Sequence, residues 1–278
     1  MLWEFFRFEI RSRLRQPTVW LFSGIFALLG FAVATTDAIS VGGGVGGTAI
    51  NSPIVVAQML GVFSVFGILV ATAFVATAVL RDYEQRTYAA FFTSPIRARD
   101  LLLGRFFGSL MMAWLVLAAA ALGLAIGSTM PWLDPQRVVD TPAGTYSLTL
   151  LVLAFPDLFV MGAVFFAVGT LTRRVLYAYV AVAGFFVVYV VSQNLMAGIE
   201  NDVLAACSDP FGLTAMAVDT RYWTLAERNG QVPVLGPMVL INRAVWIAVG
   251  VGALALTLAR FRLRAPTESG RAGKSDAD

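Results

Sequence analysis

The sequence predicts an all-α integral membrane protein with six transmembrane helices, and its composition is the first evidence for that class. Hydrophobic residues make up 58% of the 278 residues and charged residues 13%, roughly half of the charged share of a soluble protein. The mean hydropathy is +0.77, and a soluble fold of this size has too little interior to bury so much apolar surface. A soluble enzyme, a disordered tail and a nucleic-acid-binding module are therefore excluded.

Six apolar stretches are long enough to be the spans, since a helix needs about 20 residues to cross the hydrocarbon layer. They cover residues 19–36, 54–80, 106–127, 148–171, 175–197 and 238–259. Lipid offers no hydrogen-bond partner to a bare backbone group, so each stretch is expected to be a helix. Residues 19–259 then form the membrane domain.

The basic residues predict how these spans are oriented. Most of the 20 basic residues precede the first span, lie in the second and fourth connections, or follow the last span. Cytoplasmic segments of membrane proteins carry the excess of Lys and Arg, so both termini are expected in the cytoplasm. Residues 260–278 would form a polar cytoplasmic tail.

Residues 1–18 have the pattern of an amphipathic helix lying on the cytoplasmic leaflet. Its apolar stripe consists of Trp3, Phe6, Ile10 and Leu14, and its basic face of Arg7, Arg11 and Arg15. The alternative is a cleavable signal peptide, because a basic start precedes an apolar run and an Ala-Val-Ala sequence at 32–34. The length of the segment and its acids Glu4 and Glu9 favour a retained helix.

The connection between the second and third spans, residues 81–100, mixes charges with Phe91 and Phe92. Proline does not continue a helix interior, so Pro95 predicts a short helix that ends near residue 93 or 94 and a second helix after it. Such a segment is either a membrane-surface anchor or a docking element for a cytoplasmic partner.

The fourth span carries Pro156 and Asp157 near its middle. An aspartate at the bilayer centre costs about 2.5–3.5 kcal/mol, so Asp157 is expected to face protein or water. A role in a pathway or gate and a structural hydrogen bond both remain open. Arg243, a few residues into the sixth span, can pair with an acid, but an outward, snorkelling side chain is expected.

The outer connection, residues 198–237, has a net charge of −3 from five acids, Asp209 among them, against Arg221 and Arg228. Its aromatic residues, including Trp223, suggest parts that reach the headgroup level. The connection is either a structured outer cap or a re-entrant pair of short helices that gates an exit.

Two further patterns limit the function. The pairs Gly104–Gly108 and Gly123–Gly127 offer smooth faces for close helix packing, within the chain or in a dimer. Histidine is absent and Cys207 is the one cysteine, so a histidine general base and a disulfide within the chain are excluded. No nucleophile–base pair or phosphate-binding loop is evident, and no enzymatic activity of the chain itself is expected.

Four groups of residues carry a resemblance to a known family. They are the pre-membrane helix at 3–11, Asn51-Ser52-Pro53, the connection at 81–105 with Thr93-Ser94-Pro95-Ile96, and the outer Asp209-Pro210-Phe211-Gly212, Tyr222-Trp223-Thr224 and Asn242-Arg243. In order and spacing they resemble the six-span permease subunits of the ABC-2 family of ATP-driven exporters. The chain also looks like the N-terminal part of longer relatives that carry a zinc metallopeptidase.

This resemblance implies a bacterial cytoplasmic-membrane protein in which two permease subunits, identical or different, each rest on a separate ABC ATPase. The chain would bind no cofactor, with ATP and Mg on the partner subunit, and membrane lipids would surround it. The coupling helix would comprise Glu84, Arg86, Thr87, Phe91, Phe92, Pro95, Arg97 and Arg99. Where related permeases often have glycine before this threonine, Arg86 precedes Thr87 here. A pathway or gate would involve Pro156, Asp157, Asp209 and Trp223.

Two other functions fit the same topology. A secondary transporter would show inverted repeats and paired intramembrane charges. Only Asp157 and Arg243 are candidates for such a charge pair. A non-transporting scaffold would bind the ATPase or another protein without moving a substrate.

Overall fold

A computed structural model describes residues 1–36, 47–84, 97–196 and 201–261, and all regular elements in these ranges are helical. The α-helices are α1 (Leu2–Leu14), α2 (Pro17–Thr35), α3 (Pro53–Glu84), α4 (Ala98–Gly127), α5 (Ala143–Thr149), α6 (Phe155–Thr172), α7 (Val175–Met196), α8 (Asp202–Ser208), α9 (Leu213–Asp219), α10 (Leu225–Gly230) and α11 (Pro237–Arg260). The predicted all-α class is confirmed.

Six helices are long and apolar enough to cross a membrane, as the sequence predicts. Five of them are α2, α3, α4, α7 and α11. The other is composite: α5 and α6 are joined by a π-helical turn at Leu150–Ala154 and run continuously over Ala143–Thr172. The helix of the third span starts at Ala98, earlier than the predicted residue 106. The prediction counted only apolar residues, whereas the helix also includes the charged residues Arg99, Asp100 and Arg105.

The core of the bundle is formed by α3, α4 and α6, and α4 contacts α1, α2, α3 and α6. The close packing of α4 depends on its glycines. A Cβ atom at Gly123 would collide with the backbone of Ala27 on α2, and one at Gly104 would collide with Leu2 and Phe5 on α1. Both glycine pairs therefore serve packing within the chain.

The fifth span has the opposite character. Only Ala178 and Val182 of α7 are buried, and many of its valines are exposed. In a six-span membrane protein this apolar surface lies toward lipid or another subunit, because neither requires a polar face.

The connection before the last span contains three short α-helices, α8 to α10, and a 3-10 helix at Pro233–Leu235 in its described part from residue 201 onward. Of these, α8 and α9 pack against α11, and α10 packs against α3.

At the start of the chain, α1 packs along α4 and is joined to α2 where Trp20 Nε1 donates to the Leu14 carbonyl at 2.8 Å. The expected tail beyond residue 261 lies outside the described residues.

Candidate functional site

Two clusters of buried polar side chains contain all the charged side chains that are buried in the described part of the chain. We name each after its central carboxylate. The Glu9 cluster consists of Glu9, Arg13, Arg105 and Ser109, and the Asp157 cluster of Asp157, Ser64, Arg243, Asn242 and Asp209. Burial of a charge is unfavourable unless it is paired and hydrogen-bonded, so the contacts within each cluster decide what it does.

The Glu9 cluster fixes α1 to α4. Glu9 is 0% exposed and Arg13 is 3% exposed. Arg13 Nε donates to Glu9 Oε1 at 2.6 Å, and Ser109 Oγ on α4 donates to the same oxygen at 3.1 Å. Glu9 also lies against Gly108, where a Cβ atom would come within 2.7 Å of the Glu9 Cβ. A small residue on α4 therefore admits a charged pair from α1.

The arginines of this cluster also reach α3. Arg13 donates through Nη2 to the carbonyl of Phe74, and its guanidinium carbon lies 5.1 Å from the centre of the Phe74 ring. Arg105 on α4 donates through Nη1 to the carbonyl of Ala78 at 2.5 Å. Three helices are thus held together near the end of the bundle where α3 finishes and α4 begins.

The described residues of the predicted coupling segment lie at this end. Glu84 is the last residue of α3, and the exposed Arg97 and Arg99 lie at the start of α4. The residues between them lie outside the described ranges, and so does the predicted short helix. The predicted coupling residues among them are Arg86, Thr87, Phe91, Phe92 and Pro95.

The Asp157 cluster lies between spans. Asp157 on α6 is 0% exposed. Its Oδ2 accepts from Ser64 Oγ on α3 at 2.5 Å, and its Oδ1 accepts from Arg243 Nη1 on α11. Asp157 therefore faces protein, as the sequence predicts, and joins three spans.

The expectation that Arg243 snorkels outward is wrong. Arg243 is 4% exposed and forms a salt bridge with Asp157. Its other donors are also used: Nη2 donates to the Pro210 carbonyl at 3.0 Å, and both Nε and Nη2 donate to Asn242 Oδ1. A guanidinium can remain buried here because nearly every N–H meets an acceptor.

The π-helical turn at Leu150–Ala154 contributes to this site. It immediately precedes Phe155 and Pro156, and Pro156 has no N–H to donate to the preceding turn. Within the turn, the Leu153 carbonyl lies 3.5 Å from Arg243 Nη1, and the Leu150 carbonyl accepts from Trp114 Nε1 at 3.1 Å. Side chains from α11 and α4 thus contact the irregular backbone of the fourth span.

Asn242 and Asp209 attach the outer connection to the last span. Asn242 Nδ2 donates to the carbonyls of Ala206 and Asp209, at 2.6 and 2.7 Å. The Asp209 carboxylate accepts from the backbone N–H groups of Phe211 and Thr214, at 2.9 and 2.7 Å. Asp209 therefore shapes the turn between α8 and α9.

Gly212 is required at this turn. Its φ of +71° lies in the left-handed region, and a Cβ atom there would collide with the guanidinium of Arg243. Glycine permits both the backbone conformation and the close approach of Arg243.

Trp223 lies apart from the Asp157 cluster, with its carbonyl accepting from Arg228 Nε at 3.1 Å. It precedes a capping box in which the backbone and hydroxyl of Thr224 both donate to Glu227 Oε2 at 2.8 Å. These hydrogen bonds hold the pKa of the Glu227 carboxyl below its usual value. Of the four residues predicted for a pathway or gate, the structure brings together Pro156, Asp157 and Asp209.

The predicted face residues of the N-terminal helix are also placed. Arg7, Arg11 and Arg15 are exposed, and Trp3 stacks on the half-buried Phe6 with ring centres 5.2 Å apart.

The contacts of Ser64 and Asn242 and the buried pairing of Glu9 with Arg13 were not predicted from the sequence. The spacing of Glu9 and Arg13, one helical turn apart, was an available signal for an ion pair. Ser64 is one of several small polar residues in its span, and nothing local distinguishes it.

Among the described residues, no group of three or more acidic or cysteine side chains is arranged to hold a metal ion. No curated protein sequence matches the chain. The family model described as ABC-2 family transporter protein matches residues 3–258. That range contains both clusters and the six spans except for the last two residues of α11. The chain therefore belongs to the ABC-2 family, whose members are membrane components of ABC transporters.

Proposed function

We propose that the chain is the permease subunit of an ATP-driven exporter in a bacterial cytoplasmic membrane, paired with a second permease and with separate ATPase subunits. Family membership supports a permease that associates with an ABC ATPase. The observation that carries the proposal is that Glu84 and Arg97, which flank the charged connection between α3 and α4, lie at the same end of the bundle as the Glu9 cluster. A force applied there acts on three helices that are tied together.

The helix α3 links this end of the bundle to the Asp157 cluster. Its Phe74 and Ala78 carbonyls bind the arginines of the Glu9 cluster, and its Ser64 hydroxyl binds Asp157. From Ser64 to Glu84 the helix rises about 30 Å at 1.5 Å per residue. One continuous helix therefore spans the distance between the coupling segment and the buried contacts of α6 and α11.

The proposed mechanism is alternating access. Closure of the ATPase subunits moves the segment at 85–96, and α3 and α4 move with it because the segment joins them. The displacement of α3 reaches Asp157 through Ser64 and changes the packing of α6 against α11. Rearrangement of helix packing between two states is an established way to open and close a path.

The sidedness of this mechanism rests on charge. The coupling segment, the connection at Arg173 and Arg174, and the C-terminal residues hold most of the basic residues, which favours a cytoplasmic location. In this orientation α8 to α10 lie on the outer side, where they would border the exit.

The test is a charge reversal at the exposed arginines of the coupling segment, Arg97→Glu with Arg99→Glu. Co-purification with the ATPase and ATP-dependent transport in vesicles should both be lost, while the thermal stability of the permease stays unchanged. The matched control is Arg174→Glu with Arg260→Glu, two exposed arginines elsewhere on the same predicted side. Undiminished ATPase binding by the first variant would show that docking occurs elsewhere.

A secondary transporter is the second candidate, because Asp157 and Arg243 form a paired intramembrane charge. The two functions differ in their energy source. Transport that survives ATP depletion but stops when the proton gradient is collapsed would support the secondary transporter.

A further inference from the structure

The helix α1 presents a stripe of arginines on the side opposite to its buried pair. Glu9 and Arg13 face the bundle, while Arg7, Arg11 and Arg15 are exposed. These three arginines recur at every fourth position, so they lie on one side of the helix over a length of about 12 Å.

The position of α1 places this stripe at the membrane surface. Its last turn accepts a hydrogen bond from Trp20, in the first turn of the membrane-crossing α2. Its first turns pack on Gly104 and its middle packs on Gly108, both in the first part of α4. Tryptophans are enriched at the level of the lipid headgroups, so α1 is held there by both of its neighbours.

Apolar side chains border the arginines. Trp3 is 61% exposed and Leu14 is 36% exposed, and together with Arg7, Arg11 and Arg15 they line a shallow open groove along α1. An apolar edge beside a basic edge matches the boundary between acyl chains and headgroups.

The positive charge of the stripe is not cancelled by its acidic neighbour. Glu4 also lines the groove, but it is one carboxylate against three guanidinium groups, so an excess of positive charge remains. The stripe therefore keeps its attraction for anions.

We propose that Arg7, Arg11 and Arg15 bind the phosphate headgroups of anionic phospholipids. A guanidinium donates two parallel hydrogen bonds to a phosphate, and a row of basic residues beside a membrane helix is drawn to an anionic leaflet. Lipid is favoured over an acidic protein surface because the exposed apolar side chains continue from Trp3 and Leu14 to Trp20 and Leu21 on α2.

Native mass spectrometry of the purified full-length chain tests this proposal. Dioleoyl phosphatidylglycerol and dioleoyl phosphatidylcholine are titrated separately into the detergent-solubilised protein. The native protein should bind phosphatidylglycerol more tightly. The variant Arg7→Gln/Arg11→Gln/Arg15→Gln should bind it roughly tenfold more weakly or worse, because each basic residue near a lipid surface contributes several-fold. Its binding of phosphatidylcholine should not change.

Two controls make the result specific. The variant with lysine at the same three positions keeps the charge and should retain most of the binding, and Arg221→Gln/Arg228→Gln removes two arginines of the outer connection and should retain all of it. The Tm of each variant is measured as well, and lipid binding is compared at a temperature at which every variant is folded. Equal binding of the two lipids by the native protein, or an equal loss in the outer control, would overturn the proposal.

Co-purification of each variant with the ATPase separates this inference from a protein-docking role. If the glutamine variant keeps its preference for phosphatidylglycerol but loses the ATPase, the stripe is a protein interface and the proposal is wrong. The test does not depend on the proposed coupling segment, since Arg97 and Arg99 are unchanged.

Discussion

The two buried acid–arginine pairs differ in how far apart their partners lie along the chain. Glu9 and Arg13 are four residues apart on α1, whereas Asp157 and Arg243 are 86 residues apart on α6 and α11. A pair within one helix stays together however the helix moves. A pair between two spans must break or shift when those spans separate. We therefore expect the Glu9 cluster to behave as a stiff attachment and the Asp157 cluster as a joint.

The largest effect is expected for Asp157→Asn. This change leaves the Arg243 guanidinium buried without its carboxylate, and loss of one partner of a buried pair typically costs about 3–5 kcal/mol. The apparent Tm of the detergent-solubilised protein should fall accordingly.

The double variant Asp157→Leu/Arg243→Met is the control. It removes both charges, and replacement of a buried pair by apolar residues is often neutral. It should be more stable than the single variant. A double variant at least as unstable as the single one would mean that the pair is not the source of the loss.

A smaller loss is expected for Glu9→Gln. Arg13 lies one turn away on the same helix, so it stays within reach of the glutamine oxygen, and it also keeps the Phe74 carbonyl and ring. The change therefore removes a charged hydrogen bond worth roughly 1.5–3 kcal/mol. The same Tm measurement applies, with Glu4→Gln, an exposed acid on the same helix, expected within about 0.5 kcal/mol of the native protein. A loss equal to that of Asp157→Asn would remove the distinction between attachment and joint.

Gly108→Ala tests the surface that receives Glu9. The new methyl group would lie 2.7 Å from the Glu9 Cβ, and overpacking of this kind costs about 1–3 kcal/mol. The matched substitution is Gly24→Ala, where nothing lies within 4 Å of the added atom. There the higher helix propensity of alanine should leave stability unchanged or raise it by up to about 1 kcal/mol. Equal Tm values for the two variants would contradict the close packing of α1 on α4.

The smallest effect concerns the outer connection that the Asp157 cluster holds. The pKa of the Glu227 carboxyl is lowered in the folded state. The ionised carboxylate therefore stabilises the fold fully above the ordinary carboxyl pKa of about 4.3. This contribution is lost as the pH falls through the lowered pKa. The hydrogen-exchange protection factors of Leu225–Gly230 should therefore fall as the pH is lowered through the pKa of Glu227. In Thr224→Ala, which lacks the capping box, the protection factors should not vary with pH over that range.

The spans were predictable because length and hydropathy are local properties. Each predicted stretch coincides with a helix of the described chain to within several residues. The burial and pairing of Arg243 were not predictable in the same way. Its acceptors are Asp157, the Pro210 carbonyl and Asn242, and only the last is close in sequence. Snorkelling is the default when no such set of partners can be recognised.

The Glu9 cluster shows an intermediate case. The pairing of Glu9 with Arg13 follows from their spacing, but their burial does not. That burial requires Gly108 and Ser109 on α4, and hydrophobic periodicity does not tell which face of one helix meets which face of another.

The π-helical turn at Leu150–Ala154 gives the fourth span a property that the other spans lack among the described residues. A π-turn holds one residue more than an α-turn. If it tightened to regular α-helix, the side chains of α5 would swivel by about 100° relative to α6, the angle of a single helical step. Such a change would alter which neighbours α5 faces while Asp157 keeps its place.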